Sequence, residues 1–145
     1  MARWNEPATY AALVLRIGMA LVFLWFGVTQ IRNPSMFSFY VPDWVASLAG
    51  SAELASFGNG IAEVILAVLL IVGLGTRIVA ALLALHLAAI TVVIGFNATG
   101  VRDFGLTVAT TALVLHGKDK WCLDTYLEKR FSGTRKGRFL KYLYT

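Results

Sequence analysis

Three long apolar stretches dominate the pattern of hydrophobic and polar positions along the chain. They cover residues 9–30, 57–75 and 77–96, and each approaches the roughly 20 residues that an α-helix needs to cross a bilayer. A glycine-rich turn at residues 73–76 separates the second stretch from the third, which predicts a tight antiparallel hairpin. Thr76 is the predicted N-cap of the third helix.

A shorter apolar stretch begins after Asp103 and runs past His116. Asp103 is the predicted N-cap of this fourth helix. Three hydroxyl side chains predict that the helix is buried among the others and bonds to them; they are Thr107, Thr110 and Thr111. The stretch is short for a membrane span, so its assignment depends on the topology.

The distribution of Lys and Arg predicts that topology. With both termini cytoplasmic, the inner segments hold Arg3, Arg77 and eight basic residues after position 117, whereas the outer loops hold Arg32 and Arg102. This excess obeys the positive-inside rule, and termini on the same side require an even number of spans. The sequence therefore predicts an all-α integral membrane four-helix bundle, multi-pass in the cell membrane, with cytoplasmic N- and C-termini.

Two further segments are predicted to lie at the membrane surface. Residues 33–56 are rich in aromatic side chains, and Pro42 followed by Asp43 suits the start of a short helix over residues 42–49. We expect this helix to lie in the outer interface; the alternative is a plain surface loop. Residues 121–131 have amphipathic spacing, and residues 125–145 form a basic, aromatic tail typical of a cytoplasmic membrane surface. The predicted membrane domain is residues 1–124.

Composition supports a membrane protein and narrows the chemistry. Hydrophobic residues make up 58% of the chain and charged residues 14%, whereas about a quarter of a soluble domain is charged. The net charge of +5 comes with no nucleic-acid-binding motif, so we expect lipid and not nucleic acid as the partner. A single cysteine, Cys122, excludes an intrachain disulfide and a multi-cysteine metal site. No metal is predicted, although His86 and His116 leave a bis-histidine heme as an alternative.

Ionisable residues inside three of the spans are the candidates for function, since a charged group in hydrocarbon costs about 2.5–3.5 kcal/mol. They are Arg16 in the first span, Glu63 in the second and His86 in the third. Helical spacing puts Arg16 and Gln30 on one face of the first helix, and Asn59 one turn before Glu63. These faces should point into the bundle.

The predicted topology also gives these residues a depth. Glu63 lies roughly 10 Å from the outer face and His86 near the midplane, so we expect the two to be close together. Arg102 and Asp103 open the fourth helix at the outer mouth, and Arg102 is long enough to reach towards Glu63. Arg16 lies about 8–10 Å deeper. Such a set marks an ion, proton or substrate pathway; the alternative is a salt-bridge network that only fixes helix packing.

Five short motifs stand in order along the chain: Leu15-Arg-Ile-Gly18, Gly60-Ile-Ala-Glu63, Leu74-Gly-Thr-Arg77, Val101-Arg-Asp-Phe-Gly105 and Trp121-Cys-Leu-Asp124. Together, over about residues 10–124, they resemble the DoxX-like family of small four-span membrane proteins. The resemblance implies a four-helix bundle and a link to quinone-linked redox chemistry, since relatives include the membrane subunit of a thiosulfate:quinone oxidoreductase. It also implies a shared polar set; the matching positions are Arg16, Glu63, Arg102 and Asp103. Gln30 stands where many relatives have Lys.

The residues and the resemblance together predict a membrane subunit of a quinone-linked redox system. A quinone site needs an apolar slot and polar groups at the ring, one of which passes protons. Glu63 and His86 are the predicted catalytic residues. The predicted substrate-binding residues are Arg16, Asn59, Arg102 and Asp103. The expected partners are the lipid bilayer and other membrane or peripheral redox subunits, which would carry the electrons.

Two other functions stay open at this point. The chain is alternatively a non-catalytic accessory or assembly subunit of a larger membrane complex, held there by its aromatic segment and basic tail. A small-solute or proton-pathway protein is the third hypothesis, which is less favoured because a single four-helix bundle leaves little room for alternating access.

Overall fold

The computed structural model describes residues 6–131 of the chain, and every regular element within that range is helical. The helices are α1 (Glu6–Arg32), α2 (Ser35–Ser38), α3 (Asp43–Ala49), α4 (Ala52–Val72), α5 (Thr76–Ile94), α6 (Ala98–His116) and α7 (Leu123–Phe131). The all-α prediction is therefore confirmed for the described residues. Residues 132–145 of the predicted basic tail lie outside them.

Three helices in residues 6–131 are long and apolar enough to cross a membrane: Tyr10–Arg32, Ala52–Val72 and Thr76–Ile94. Large apolar side chains on their outer faces are exposed, as in Trp25 of α1 and Leu85 of α5, which suits contact with lipid acyl chains. Helix α6 has 19 residues but is more polar, so the fourth span stays a prediction. The orientation of the termini likewise stays a prediction.

The four long helices run in alternating directions. Arg16 of α1 contacts Leu70 of α4, and Gly27 of α1 contacts Gly60, so these two helices are antiparallel. The predicted hairpin of α4 and α5 is present. Helix α1 packs most extensively on α4, and α5 on α6. The α3 end of the bundle carries α2, α3 and the α5–α6 turn, and the α7 end carries α7 and the α4–α5 turn.

The face of α1 that is predicted to carry Arg16 and Gln30 points into the bundle. Its members are all buried: Arg16, Ala20, Phe23, Gly27 and Gln30. Where α1 crosses α4, two glycines let the backbones touch, since a Cβ on Gly27 would lie 2.8 Å from the carbonyl oxygen of Gly60. Small residues at such a crossing permit this close approach, which brings the end of α1 against the middle of α4.

Two predicted helix caps are wrong. Asn97 and not Asp103 caps α6, because its side chain accepts the backbone N–H three residues on at 3.0 Å. Asp103 lies in the second turn of that helix. At the start of α5 the N-cap is Gly75, with a φ of 62° that glycine adopts without strain. Thr76 lies inside the helix, and the carboxylate of Asp124 accepts its backbone N–H at 2.9 Å.

The hydroxyls of α6 bond within their own helix, contrary to the prediction that they bond to neighbouring helices. Thr107, Thr110 and Thr111 each donate to the carbonyl four residues earlier, at 2.7–2.8 Å. Of these, Thr110 is fully buried, Thr107 partly buried and Thr111 exposed. A bond to the preceding turn satisfies each hydroxyl without a second helix.

The segment between α1 and α4 contains the predicted short helix. Pro42 is the N-cap of α3 and Asp43 lies in its first turn, close to the positions expected from the sequence. Both α2 and α3 pack on α4. Several large apolar side chains of the segment stay exposed, among them Phe39 and Leu48.

Candidate functional site

Three polar side chains surround the Glu63 carboxylate. Gln30 Nε2 donates to Glu63 Oε2 at 2.9 Å, and Asn59 Nδ2 donates to Oε1 at 3.1 Å. His86 Nε2 lies 3.0 Å from Oε1. Asn59 also donates to Gln30 Oε1 at 2.9 Å. Hydrogen bonds therefore satisfy both oxygens of a carboxylate whose residue is only 4% exposed. We call these four residues the Glu63 cluster.

Three helices position the cluster. Asn59 and Glu63 lie one turn apart on α4, where side chains four residues apart are neighbours. Gln30 reaches them from α1 because Gly60 lets the two backbones approach. His86 reaches Glu63 from α5, across the hairpin. The structure thus brings together Asn59, Glu63 and His86 of the predicted site residues, and it adds Gln30.

His86 forms an exposed edge of the cluster. Its side chain is 31% exposed, whereas that of Glu63 is 5% exposed. The other ring nitrogen, Nδ1, makes no hydrogen bond within the described residues. When Nε2–H donates to an ionised Glu63, Nδ1 is an acceptor; when the ring is protonated, both nitrogens donate and Glu63 neutralises the charge. The His86–Glu63 pair can therefore hold or release a proton at the exposed edge of the cluster.

Arg102 and Asp103 pair with each other and do not contact the Glu63 cluster. Arg102 Nε donates to Asp103 Oδ1 at 2.8 Å, with a side chain that is 52% exposed. Its guanidinium carbon also lies 5.6 Å from the centre of the Phe26 ring, a cation–π contact. The predicted reach of Arg102 towards Glu63 is absent because the buried Asp103 next to it takes up its charge.

Arg16 lies at the α7 end, where Asp119 binds it. Arg16 Nε donates to Asp119 Oδ2 at 2.8 Å, and Nη1 donates to the carbonyl oxygens of Leu70 and Ile71 at 2.7 and 2.6 Å. Both charged side chains are 2% exposed. This geometry keeps Arg16 apart from the Glu63 cluster and closes its guanidinium to solvent.

The environment of Asp119 favours its charged form. Burial on its own raises the pKa of this carboxyl, but hydrogen bonds from Arg16 and from the Trp121 N–H oppose it, and the guanidinium charge adds to them. The pKa of Asp119 therefore lies below its ordinary value of 3.8. The ion pair with Arg16 is thus present throughout the neutral range.

The loop between α6 and α7 closes the α7 end. The Asp119 N–H donates to Cys122 Sγ at 3.3 Å, and burial raises the pKa of the Cys122 thiol. Asp124 accepts the backbone N–H groups of Gly75 and Thr76 at 2.8 and 2.9 Å. The hydrogen bonds of Asp124 thereby hold the turn between α4 and α5 against the start of α7.

A cavity of about 440 Å³ opens at the α3 end. It is lined by Phe39, Tyr40, Val93, Ile94, Asn97, Ala98 and Thr99. On α5, Val93 lies two turns beyond His86 on the same face, with Ile90 between them; the separation along the axis is about 10 Å. An apolar strip of α5 therefore connects the cavity with the exposed edge of the Glu63 cluster.

The two histidines lie at different heights along the bundle. Arg77 Nε donates to the carbonyl oxygen of Val114 at 3.1 Å, so His116 lies level with the start of α5. His86 lies nine residues beyond Arg77, about 14 Å along the helix axis. The two side chains are therefore too far apart to bind the same iron atom. The described residues also contain no group of three or more side chains that could hold a metal ion.

Comparison with known proteins identifies the family. The sequence model of the DoxX family matches residues 11–95, more than half of the 145 residues of the chain. The matched segment contains the whole Glu63 cluster, whereas Arg102, Asp103 and Asp119 lie beyond it. Searches of curated proteins and of solved structures found no match. The chain belongs to the DoxX family.

Proposed function

We propose that this DoxX-family protein is a membrane subunit of a quinone-linked redox system, in which His86 and Glu63 bind the quinone ring and exchange protons with it. The observation that carries the proposal is the 3.0 Å contact between His86 Nε2 and Glu63 Oε1. It joins a buried carboxylate to a partly exposed imidazole. Acid–base chemistry on a ligand that enters from the bilayer needs such a link.

The side chains around His86 fit a quinone. The ring needs a hydrogen-bond partner and apolar walls, and an isoprenoid tail needs an apolar strip. His86 Nδ1 is the ring partner. The strip of α5 that leads from His86 to Val93 and the cavity beyond it suits the tail, and Leu82, one turn on the other side of His86, is 49% exposed. A ligand can therefore reach His86 sideways from the lipid.

The Glu63 cluster supplies the acid–base chemistry of this proposal. A bound quinone provides a couple that exchanges both electrons and protons, with the electrons carried by a partner redox subunit. In its protonated form His86 donates through Nδ1 to a carbonyl oxygen, while Glu63 stabilises the imidazolium. Gln30 and Asn59 hold Glu63 with neutral amide groups, so no fixed positive charge competes with His86.

The proposal includes the membrane topology. Helix α6 is the fourth span, both termini are cytoplasmic in the cell membrane, and the aromatic segment with α3 lies in the outer interface, as the Lys and Arg distribution favours. Arg102 and Asp103 then stand at the outer mouth, beside the cavity. The partners are the surrounding lipid and membrane or peripheral redox subunits.

Quinone binding to the purified full chain in lipid nanodiscs tests the proposal. Addition of a short-chain benzoquinone is expected to quench tryptophan fluorescence and to raise the melting temperature. His86→Ala is expected to raise Kd about tenfold or more, because it removes the hydrogen bond that the charged imidazolium donates to the quinone carbonyl.

His116→Ala is the matched control, since His116 is an exposed histidine at the last residue of α6, at the other end of the bundle. It is expected to leave Kd unchanged. If quinone leaves both fluorescence and melting temperature of the wild-type chain unchanged, or if the two histidine variants lose affinity equally, the quinone proposal is wrong.

An accessory role is the second candidate, and exposed apolar side chains at the α3 end favour it. Phe39, Trp44 and Leu48 are 89%, 68% and 81% exposed, and clustered apolar exposure marks surfaces that bind other proteins or membranes. Gentle purification with mass spectrometry for partners and solvent extraction for quinone distinguishes the two. A stable complex without quinone, whose activity survives Glu63→Gln, supports the accessory role.

A further inference from the structure

One buried hydroxyl beside the Glu63 cluster has no hydrogen-bond partner among the described residues. It is the Oγ atom of Ser56, in the second turn of α4, and the residue is 1% exposed. Buried polar groups in folded proteins are almost always paired, either with protein atoms or with bound water. An unpaired hydroxyl in such a place therefore indicates a small polar partner.

Other helical hydroxyls in the described chain show what Ser56 lacks. Five threonines donate to the carbonyl oxygen four residues earlier, at 2.7–2.8 Å; they are Thr29, Thr91, Thr107, Thr110 and Thr111. This local bond is the usual way for a hydroxyl inside an apolar helix to be satisfied. Ser56 does not make it, so its hydroxyl remains available to a ligand.

The position of Ser56 connects it to the Glu63 cluster. The buried face of α4 carries Ser56, Gly60 and Glu63 in succession. Because Gly27 faces Gly60 in an antiparallel pair and α1 ends at Arg32, Ser56 lies level with the end of α1. It therefore stands between the cluster and the α3 end of the bundle.

Asn59 offers a second polar atom next to Ser56. Its Nδ2 group donates to Gln30 and Glu63, whereas its carbonyl oxygen Oδ1 makes no hydrogen bond within the described residues. Side chains three residues apart on a helix have Cβ atoms about 5–6 Å apart, which suits one water molecule bonded to both. A buried water typically has two to four such partners.

We propose that Ser56 Oγ and Asn59 Oδ1 together bind one water molecule. This water belongs to a short chain of waters that leads from the Glu63 carboxylate to the α3 end of the bundle. Through this chain a proton released by Glu63 passes to bulk water, and a proton taken up by Glu63 arrives by the reverse route. The use of this route in quinone chemistry rests on the proposed function, whereas the water site does not. His86 then faces the ligand and Ser56 faces the aqueous side.

Proton access to Glu63 is measured on the full chain in nanodiscs, without quinone. After a rapid pH jump, the infrared signal of the protonated carboxyl is followed in time, and Glu63→Gln assigns that signal to Glu63. Ser56→Ala is expected to slow protonation about tenfold, because it removes one of the two groups that hold the water. Ser38→Ala is the matched control, since the Ser38 hydroxyl already donates to the Ser35 carbonyl; it is expected to leave the rate unchanged.

An experimental map of the wild-type chain at a resolution that shows ordered water is the second measurement, and it does not depend on the folding of any variant. Density for a water within hydrogen-bond distance of Ser56 Oγ and Asn59 Oδ1 supports the proposal. A dry apolar contact at Ser56 Oγ, or equal protonation rates in the wild type and in Ser56→Ala, overturns it. Because no quinone is present, failure of quinone binding leaves both results interpretable.

Discussion

Glu63 and Asp119 are both buried carboxylates in this bundle, but their partners differ in kind. Asp119 binds a guanidinium whose Nη1 group donates to two backbone carbonyls of α4. Glu63 binds two neutral amides and one imidazole, and the imidazole keeps a ring nitrogen available. The first arrangement is closed and keeps its charges fixed, whereas the second contains an imidazole, which has two ring nitrogens that can each hold a proton.

The comparison distinguishes a carboxylate that stabilises the fold from one that can take part in proton exchange. A count of the charged residues in each span does not make this distinction. A carboxylate paired with arginine and sealed from solvent stabilises the positions of the helices. A carboxylate held by neutral amides, with a histidine at its exposed edge, has a neighbour with which it can share a proton. Burial alone therefore does not distinguish the two carboxylates in this protein; the chemistry of their partners does.

The largest effect is expected for Asp119→Ala. The substitution leaves the Arg16 guanidinium buried without a counter-charge, which costs about 3–5 kcal/mol in the free energy of unfolding. Thermal or SDS-induced unfolding in mild detergent measures the loss. The double variant Arg16→Met with Asp119→Leu is expected to recover most of it, because it removes both charges. A single-variant loss below about 1 kcal/mol, the range of an exposed pair, contradicts the closed-pair description.

A smaller loss of stability is expected for Glu63→Gln. Glutamine keeps the shape and one acceptor oxygen, and the neighbouring amides can reorient, so the loss is about 1 kcal/mol. The same unfolding assay measures it beside Asp119→Ala. If Glu63→Gln destabilises the chain as much as Asp119→Ala does, the Glu63 cluster is as structural as the Arg16–Asp119 pair and the comparison fails.

The pH dependence of stability should report Asp119, and this effect is the smallest. Its pKa in the folded protein lies below the ordinary value of 3.8, so the unfolded chain binds the proton more tightly. The stabilisation by Asp119 is therefore fully present above about pH 4 and is lost as the pH falls through the folded-state pKa. The difference in melting temperature between the wild type and Asp119→Asn should be constant from about pH 7 to 5 and shrink below about pH 4. A difference that grows on acidification has the opposite sign and contradicts the assignment.

The sequence was sufficient to predict the long helices and the inward face of α1. Long apolar stretches leave few alternatives to helices in a membrane, and the spacing from Arg16 to Gln30 follows the helical period. The proximity of Glu63 and His86 was also predictable, because a short turn fixes the register of α4 against α5. These features depend on residues that are near one another along the chain.

The remaining features depend on contacts between distant residues. The partner of Arg16 lies 103 positions away, in the loop between α6 and α7. The sequence predicts that Arg102 reaches towards Glu63, whereas in the structure it pairs with the neighbouring Asp103. The signal that could have identified Asp119 is electrostatic: a buried arginine requires a carboxylate, and Asp119 is an acidic residue near the predicted inner end of the bundle.

The bond between Asp124 and the start of α5 has a consequence for biosynthesis. Asp124 accepts the N–H groups of Gly75 and Thr76 from a position 48 or more residues later in the chain. During translation, the hairpin of α4 and α5 therefore leaves the ribosome well before the residue that completes its turn. In a nascent chain that stops short of Asp124, these two backbone N–H groups lack their carboxylate acceptor. The hydrogen bonds that hold the hairpin turn to α7 form only after Asp124 has been synthesised.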